Sequence, residues 1–175
     1  MKRMVVIAAI GAALLCTTGT ATAQGDVRTQ GESVPVATCT SVDLEIAVVR
    51  EEPAAGTLYR EVRFTNRGIA TCVLQGFPGV SYVDSSGNQV GAAATRDGVR
   101  GPSVTLPHGA GAVAVVGSAN ADNFDPAVCR KTLVWGLKLF PPDQTAPLYL
   151  RLDGQYGCAG DVSPWGSHLK VTSVS

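Results

Sequence analysis

The chain has 175 residues, 45% apolar and 16% charged, with 20 Gly and 10 Pro. That mixture is too apolar for a disordered chain and too often punctuated for long helices. The formal net charge is zero, so the basic footprint of a nucleic-acid binder is excluded.

The chain opens with Lys2 and Arg3, an apolar run from Met4 to Leu15, and Ala21-Thr22-Ala23, a small-x-small cleavage pattern. This order predicts a secretory signal peptide over 1–23, followed by a flexible polar arm over 24–38 and a folded domain over 39–175. The apolar run is far short of the roughly 20 residues that a spanning helix needs, and no later stretch approaches that length. No membrane span is expected, and the mature protein is expected to be secreted to the exterior. Lipid anchoring through Cys16 is the alternative, but Leu15 stands where that processing takes a small residue, and Ala13 stands where it takes Leu.

Once the signal is removed, no Met remains, and the cysteines are Cys39, Cys72, Cys129 and Cys158. An even number without CxxC spacing in an exported chain predicts two structural disulfides. Four cysteines permit three connectivities. Cys39–Cys72 with Cys129–Cys158 is favoured because each pair closes a local loop.

From Cys39 onward the apolar period is two. Val42, Leu44, Ile46 and Val48 predict one half-buried strand, and Leu58, Val62 and Phe64 the next; the Asn66-Arg67-Gly68 turn follows. Cys72 and Leu74 open a short third strand. Phe77-Pro78-Gly79 turns into Val80, Tyr82 and Val83, and Asp84 to Asn88 reverses the chain toward Val90 as a hairpin. Gly68 and Gly79 are expected at positive φ in their turns. Val104 and Leu106 precede the Pro107-His108-Gly109 turn, and Ala112, Ala114 and Val116 alternate beyond it. Asp125-Pro126 suits the cap of a single helical turn before Cys129. Leu133, Trp135, Leu137 and Leu139 are expected on one face, with Trp135 in the core; strands at Leu148 to Leu152 and Leu169 to Ser173 complete about nine. An all-β sandwich follows.

Several of these residues also carry a resemblance. Asn66-Arg67-Gly68, Cys72-Val73-Leu74-Gln75-Gly76-Phe77-Pro78-Gly79, Leu106-Pro107-His108-Gly109 and the late Cys129 and Cys158 are similar to a family of exported actinobacterial domains of unknown function, found as secreted proteins or lipoproteins. That family shows NxG, CxLxG[FY]PG, a hairpin, LxPG and two late cysteines; here His108 is inserted before the Gly of the last turn. The resemblance implies an immunoglobulin-like sandwich in an envelope or extracellular setting and implies no reaction.

The chemistry visible in the sequence is sparse. No GxSxG elbow occurs, since Val83 stands where the last Gly should follow Gly79-Val80-Ser81. His108 and His168 are the only candidate imidazole bases. His108 reads as a solvated turn residue, and His168 as an outward residue beside the last strand. Asn120 to Asp125 gathers oxygen-bearing side chains that could serve a hard cation, but the run lacks the later bidentate Glu of a calcium loop and reads as turn and cap chemistry. Neither a metal nor a cofactor is expected. Tyr156 and Trp165, in Gly- and Pro-containing segments around Cys158, are candidate ligand contacts. The expected function is therefore a secreted, non-catalytic binding or interaction domain of the bacterial envelope or exterior, meeting an envelope polymer or another protein. A secreted hydrolase with an unrecognised active site is the alternative.

Overall fold

The fold follows from two long hairpin strands that lay an apolar face against a second sheet. The computed structural model describes residues 35–175. The predicted signal, the Cys16 alternative and residues 24–34 of the arm lie outside the described residues.

The strands, in chain order, are β1 (Leu44–Ala54), β2 (Thr57–Asn66), β3 (Cys72–Leu74), β4 (Gly79–Val83), β5 (Gln89–Val90), β6 (Thr95–Asp97) and β7 (Val104–Leu106), then β8 (Gly111–Ala119), β9 (Lys131–Leu133), β10 (Gly136–Phe140), β11 (Leu148–Arg151), β12 (Tyr156–Cys158) and β13 (Leu169–Thr172). The larger sheet runs β1-β2-β8-β13-β6, the second runs β11-β10-β4-β5, and β9 with β12 and β3 with β7 form short pairs. The molecule is all-β and disulfide-bonded, as its period-two patterning predicts. The inward faces of the two larger sheets share one apolar cluster: Val62, Phe64, Ala114 and Val116 from the first meet Val80, Tyr82, Leu137 and Leu139 from the second. Each of these eight side chains is at most 2% exposed.

The excess of strands over the expected nine comes from short segments, because backbone pairing makes them without any apolar alternation to announce it. All three residues of β6 are exposed, yet it pairs in parallel with β13. A second difference lies at Leu133 to Leu139. Val134 and Trp135 separate β9 from β10, and the two strands join different partners, β12 and β4/β11. The phase therefore changes there: Val134 is buried, Leu133 is 57% exposed, and Trp135 is half-buried at the surface instead of in the core. Val42 also leaves the predicted strand. It sits in the 3-10 turn Ser41–Asp43 and is exposed.

The disulfides are Cys39–Cys72 and Cys129–Cys158, closing sequence separations of 33 and 29. Ala37, Thr38 and Cys39 run beside β3, with reciprocal backbone hydrogen bonds Val73 N to Ala37 O and Cys39 N to Val73 O. Pairing thus starts just ahead of Cys39. The helical turn α1 (Pro126–Cys129) begins where Asp125-Pro126 predicts, and Asp125 Oδ1 accepts from the amides of Ala127 and Val128.

The turn glycines correct an expectation. Neither Gly68 nor Gly79 has a positive φ; Gly76 does, at 101°. Gly68 is required instead by a close approach, because a β-carbon there would sit 2.7 Å from Asp43 Oδ1. Gly79 has ordinary room for one against Phe140.

Candidate functional site

The inward face of β2 reads Leu58, Arg60, Val62, Phe64, and Arg60 is the one charged residue in that series. Its side chain is 4% exposed. β1 is longer than the cover available to it, so the far half of the β1–β2 hairpin projects past the shared core. A bulge between Val48 and Arg50 resets the register there and places Glu51 opposite Arg60 and Arg50 opposite Glu61. Directly opposed residues share a face. Two cross-strand ion pairs therefore lie on opposite faces of the hairpin, Arg50–Glu61 on one and Arg60–Glu51 on the other.

The inner pair is embedded in a network. Arg60 Nε donates to Glu51 Oε1 at 2.6 Å, one terminal nitrogen donates to Ser118 Oγ at 3.2 Å, and the other to Gln155 Oε1 at 2.5 Å. Ser118 is on β8 and Gln155 precedes β12, so one guanidinium ties the larger sheet to the β11–β12 connection. Tyr82 lies beside this network. Its buried hydroxyl makes no hydrogen bond of ordinary geometry, and burial pushes its phenol pKa up against the lowering effect of Ser118 and Arg60.

Above Arg60 is an open groove of about 710 Å3, floored by Leu58 and Leu152 and walled by Glu51, Arg151, Asp153 and Gln155. A smaller hollow of about 300 Å3 shares Leu58 and Gln155 and continues toward Ser118 and Asn120. On the far side of Arg151–Gly154 a third hollow of about 260 Å3 is lined by Leu133 and Trp135. The Arg151 guanidinium lies 5.8 Å from the centroid of the Trp135 ring and also pairs with Asp153 at 2.9 Å. The β11–β12 connection thus separates a charged groove from a partly aromatic one. Such a surface offers planar, charged and apolar contacts to a polar ligand.

Tyr156, singled out from sequence, adjoins Gln155. It lies in β12 opposite Leu133, is 45% exposed, and has Lys131 Nζ 5.0 Å from its ring centroid. Trp165 ends the 3-10 turn Ser163–Trp165. The four cysteines hold the scaffold: Cys158 closes the strand that Tyr156 opens. His108 is an exposed turn residue whose Nδ1 lies 3.0 Å from the Gly68 carbonyl oxygen. His168 does not point outward as expected. It is 7% exposed, lies between the rings of Tyr82 and Phe124 at 5.5 and 5.8 Å, and neither ring nitrogen has a hydrogen-bond partner. Burial lowers its pKa below the ordinary value of 6.5. In the Asn120–Asp125 loop, Asn120 and Asp125 cap backbone amides, Asn123 Nδ2 donates to Gly56 O, and Asp122 pairs with Lys131. Among the described residues no three His, Cys, Asp or Glu side chains cluster as metal ligands do.

Sequence reasoning missed Arg60, Glu51, Gln155, Arg151 and Asp153. The signal for Arg60 was present, a charge at an inward position between Leu58 and Val62. The others are contributed by segments that meet only in space.

Comparison with known families adds the relationship of the chain as a whole. The family described as a domain of unknown function, DUF4232, matches residues 39–175. The chain belongs to the DUF4232 family. The match covers all thirteen described strands and all four of the paired cysteines. No curated protein and no solved structure matches the chain. Among the described residues no helix is long and apolar enough to cross a membrane.

Proposed function

We propose that this DUF4232 domain is a secreted, non-catalytic binding module of immunoglobulin-like build, working at the bacterial envelope or outside the cell, and that the groove over Arg60 is its binding surface. The observation that carries the reading is the buried arginine. Burying a cation beneath an open groove is costly compared with an apolar residue in the same place. Arg60 is held by three partners from three segments, and two of them, Glu51 and Gln155, line the groove together with it. The two disulfides suit an oxidising compartment. A binding role is also supported over hydrolysis by the distribution of the imidazoles, since His108 is at an exposed turn and His168 is buried between aromatic rings, and neither lines the Arg60 groove.

The test is retention of the mature domain on isolated envelope polymer, compared with a Leu58→Trp variant that fills the groove floor. Wild-type protein is expected to be retained, and the variant to pass through while keeping its unfolding midpoint. Equal retention of both proteins, or of neither, overturns the assignment.

A further inference from the structure

We infer that the groove accepts a ligand carboxylate, which takes the place of Glu51 on Arg60. This rests on the reading of the groove as a binding surface. The three partners of Arg60 are not equivalent. Ser118 is buried on a central strand and Gln155, though it lines the groove, is half-buried and neutral, whereas Glu51 is charged, 49% exposed on edge strand β1 beyond the bulge, and lines the groove as well. The neutral acceptors are the less exposed ones. The anion is the most exposed of the three partners and the one that can be exchanged.

The electrostatics point the same way. A guanidinium out of water needs a negative or strongly accepting partner, and a planar carboxylate meets its fork of donors in a bidentate manner. The donor at issue is Arg60 Nε–H, which Glu51 occupies and which a ligand oxygen would take over. Arg151 also lines the groove and is 64% exposed, although its guanidinium is already paired with Asp153. Glu51 and Asp153 in the same walls repel a dense polyanion. The chemistry that fits is a single carboxylate on an otherwise neutral body, as at a peptide C-terminus or on a uronic acid.

Both sources can be separated by titrating the mature domain with N-acetylglycine and with glucuronate, using N-acetylglycinamide as the uncharged control and reading the Arg60 Nε–H resonance by NMR. A carboxylate is expected to move that resonance saturably while the amide does not. In Glu51→Gln, which neutralises the internal competitor but keeps an oxygen there, the same probe is expected to bind about tenfold more tightly, the difference between a charge-assisted and a neutral hydrogen bond. Response to N-acetylglycine alone assigns a peptide terminus, and response to glucuronate alone a sugar acid. No response to either carboxylate, or an equal response to the amide, overturns the inference. Should Glu51→Gln fail to fold, the wild-type titration decides by itself. Retention on envelope polymer without a carboxylate response defeats the exchange and leaves the binding module standing; loss of both defeats both.

Discussion

Asn66 shows how a short motif does structural work. It is fully buried, its Nδ2 donates to the carbonyls of Ala70 and Leu106, and its Oδ1 accepts from the amide of Gly68. Asn66→Ala is expected to lower stability by about 2 to 4 kcal/mol, because two carbonyls lose a donor and the Gly68 amide keeps only its longer bond to Asp43 O, where water cannot replace them fully. Urea unfolding measures this. The neighbouring glycines separate in the same way. Gly76→Ala is expected to cost about 1 to 3 kcal/mol, since φ of 101° is strained for any residue with a β-carbon and Arg100 Nε stands 3.2 Å from where that carbon would be. Gly79→Ala is expected to stay within about 0.5 kcal/mol of wild type in the same experiment, having neither constraint. His168 supplies a pH dependence. Its folded-state pKa lies below 6.5, so the unfolded chain binds a proton that the folded chain refuses. Stability should be full above about pH 6.5 and fall as the pH drops toward the depressed folded value, then level off. Asp84, whose carboxyl is lowered by Asn88 and neighbouring amides, contributes stability that is full above the ordinary carboxylate range and is lost only as the pH falls through that range toward the depressed folded value. Unfolding curves between pH 7.5 and 5 test this: the fall should be smaller in His168→Leu, and an equal fall would show that His168 is not its cause.

At the scale of elements, the β9–β12 pair depends on a staple. It has only three residues on each side, and its apolar support is the small cluster of Ala121, Cys129, Cys158 and Val162. The Cys129–Cys158 bridge closes a loop of about 30 residues, for which chain entropy gives about 3 to 4 kcal/mol. Replacing both cysteines by alanine should therefore lower global stability by about that amount and, because Gln155 immediately precedes β12, loosen the hydrogen bond from Arg60. Amide exchange in Lys131–Leu133 and Tyr156–Cys158 should speed up more than in β2 or β8. Uniform acceleration would show that the staple supports the whole sheet and not this corner. The β1–β2 hairpin is stabilised differently. Its near half is held by core side chains such as Val62 and Phe64, its far half by cross-strand pairing and by the Arg60 network, and exposed ion pairs such as Arg50–Glu52 add little.

For the whole molecule, alternation along the chain was enough to reveal two-sided strands and hence an all-β fold around one main core. Local chemistry was equally readable. Asp125-Pro126 announced a capped turn, the run from Asp84 to Asn88 a hairpin, and the cysteine spacing two short covalent loops, because each of these depends on residues within a few positions, or on loop length alone. Short strands such as β6 and the break at Val134–Trp135 were not readable, since what makes them is a partner strand distant in sequence. The same holds for burial of single polar residues. His168 adjoins a strand whose own pattern places it outward, and only Tyr82 and Phe124, brought from two other segments, enclose it. Arg60 could be noticed as an anomaly on an apolar face, yet its meaning depends on Ser118 and Gln155, 58 and 95 residues away. Sequence by itself thus determined the class of fold, the presence of two covalent staples and the positions of the main turns, because their physics is local, though not the backbone angles of the turn glycines. Tertiary structure alone decided which strand edges stay open and which charges lie beneath a groove, because desolvation and hydrogen bonding depend on neighbours that only folding assembles.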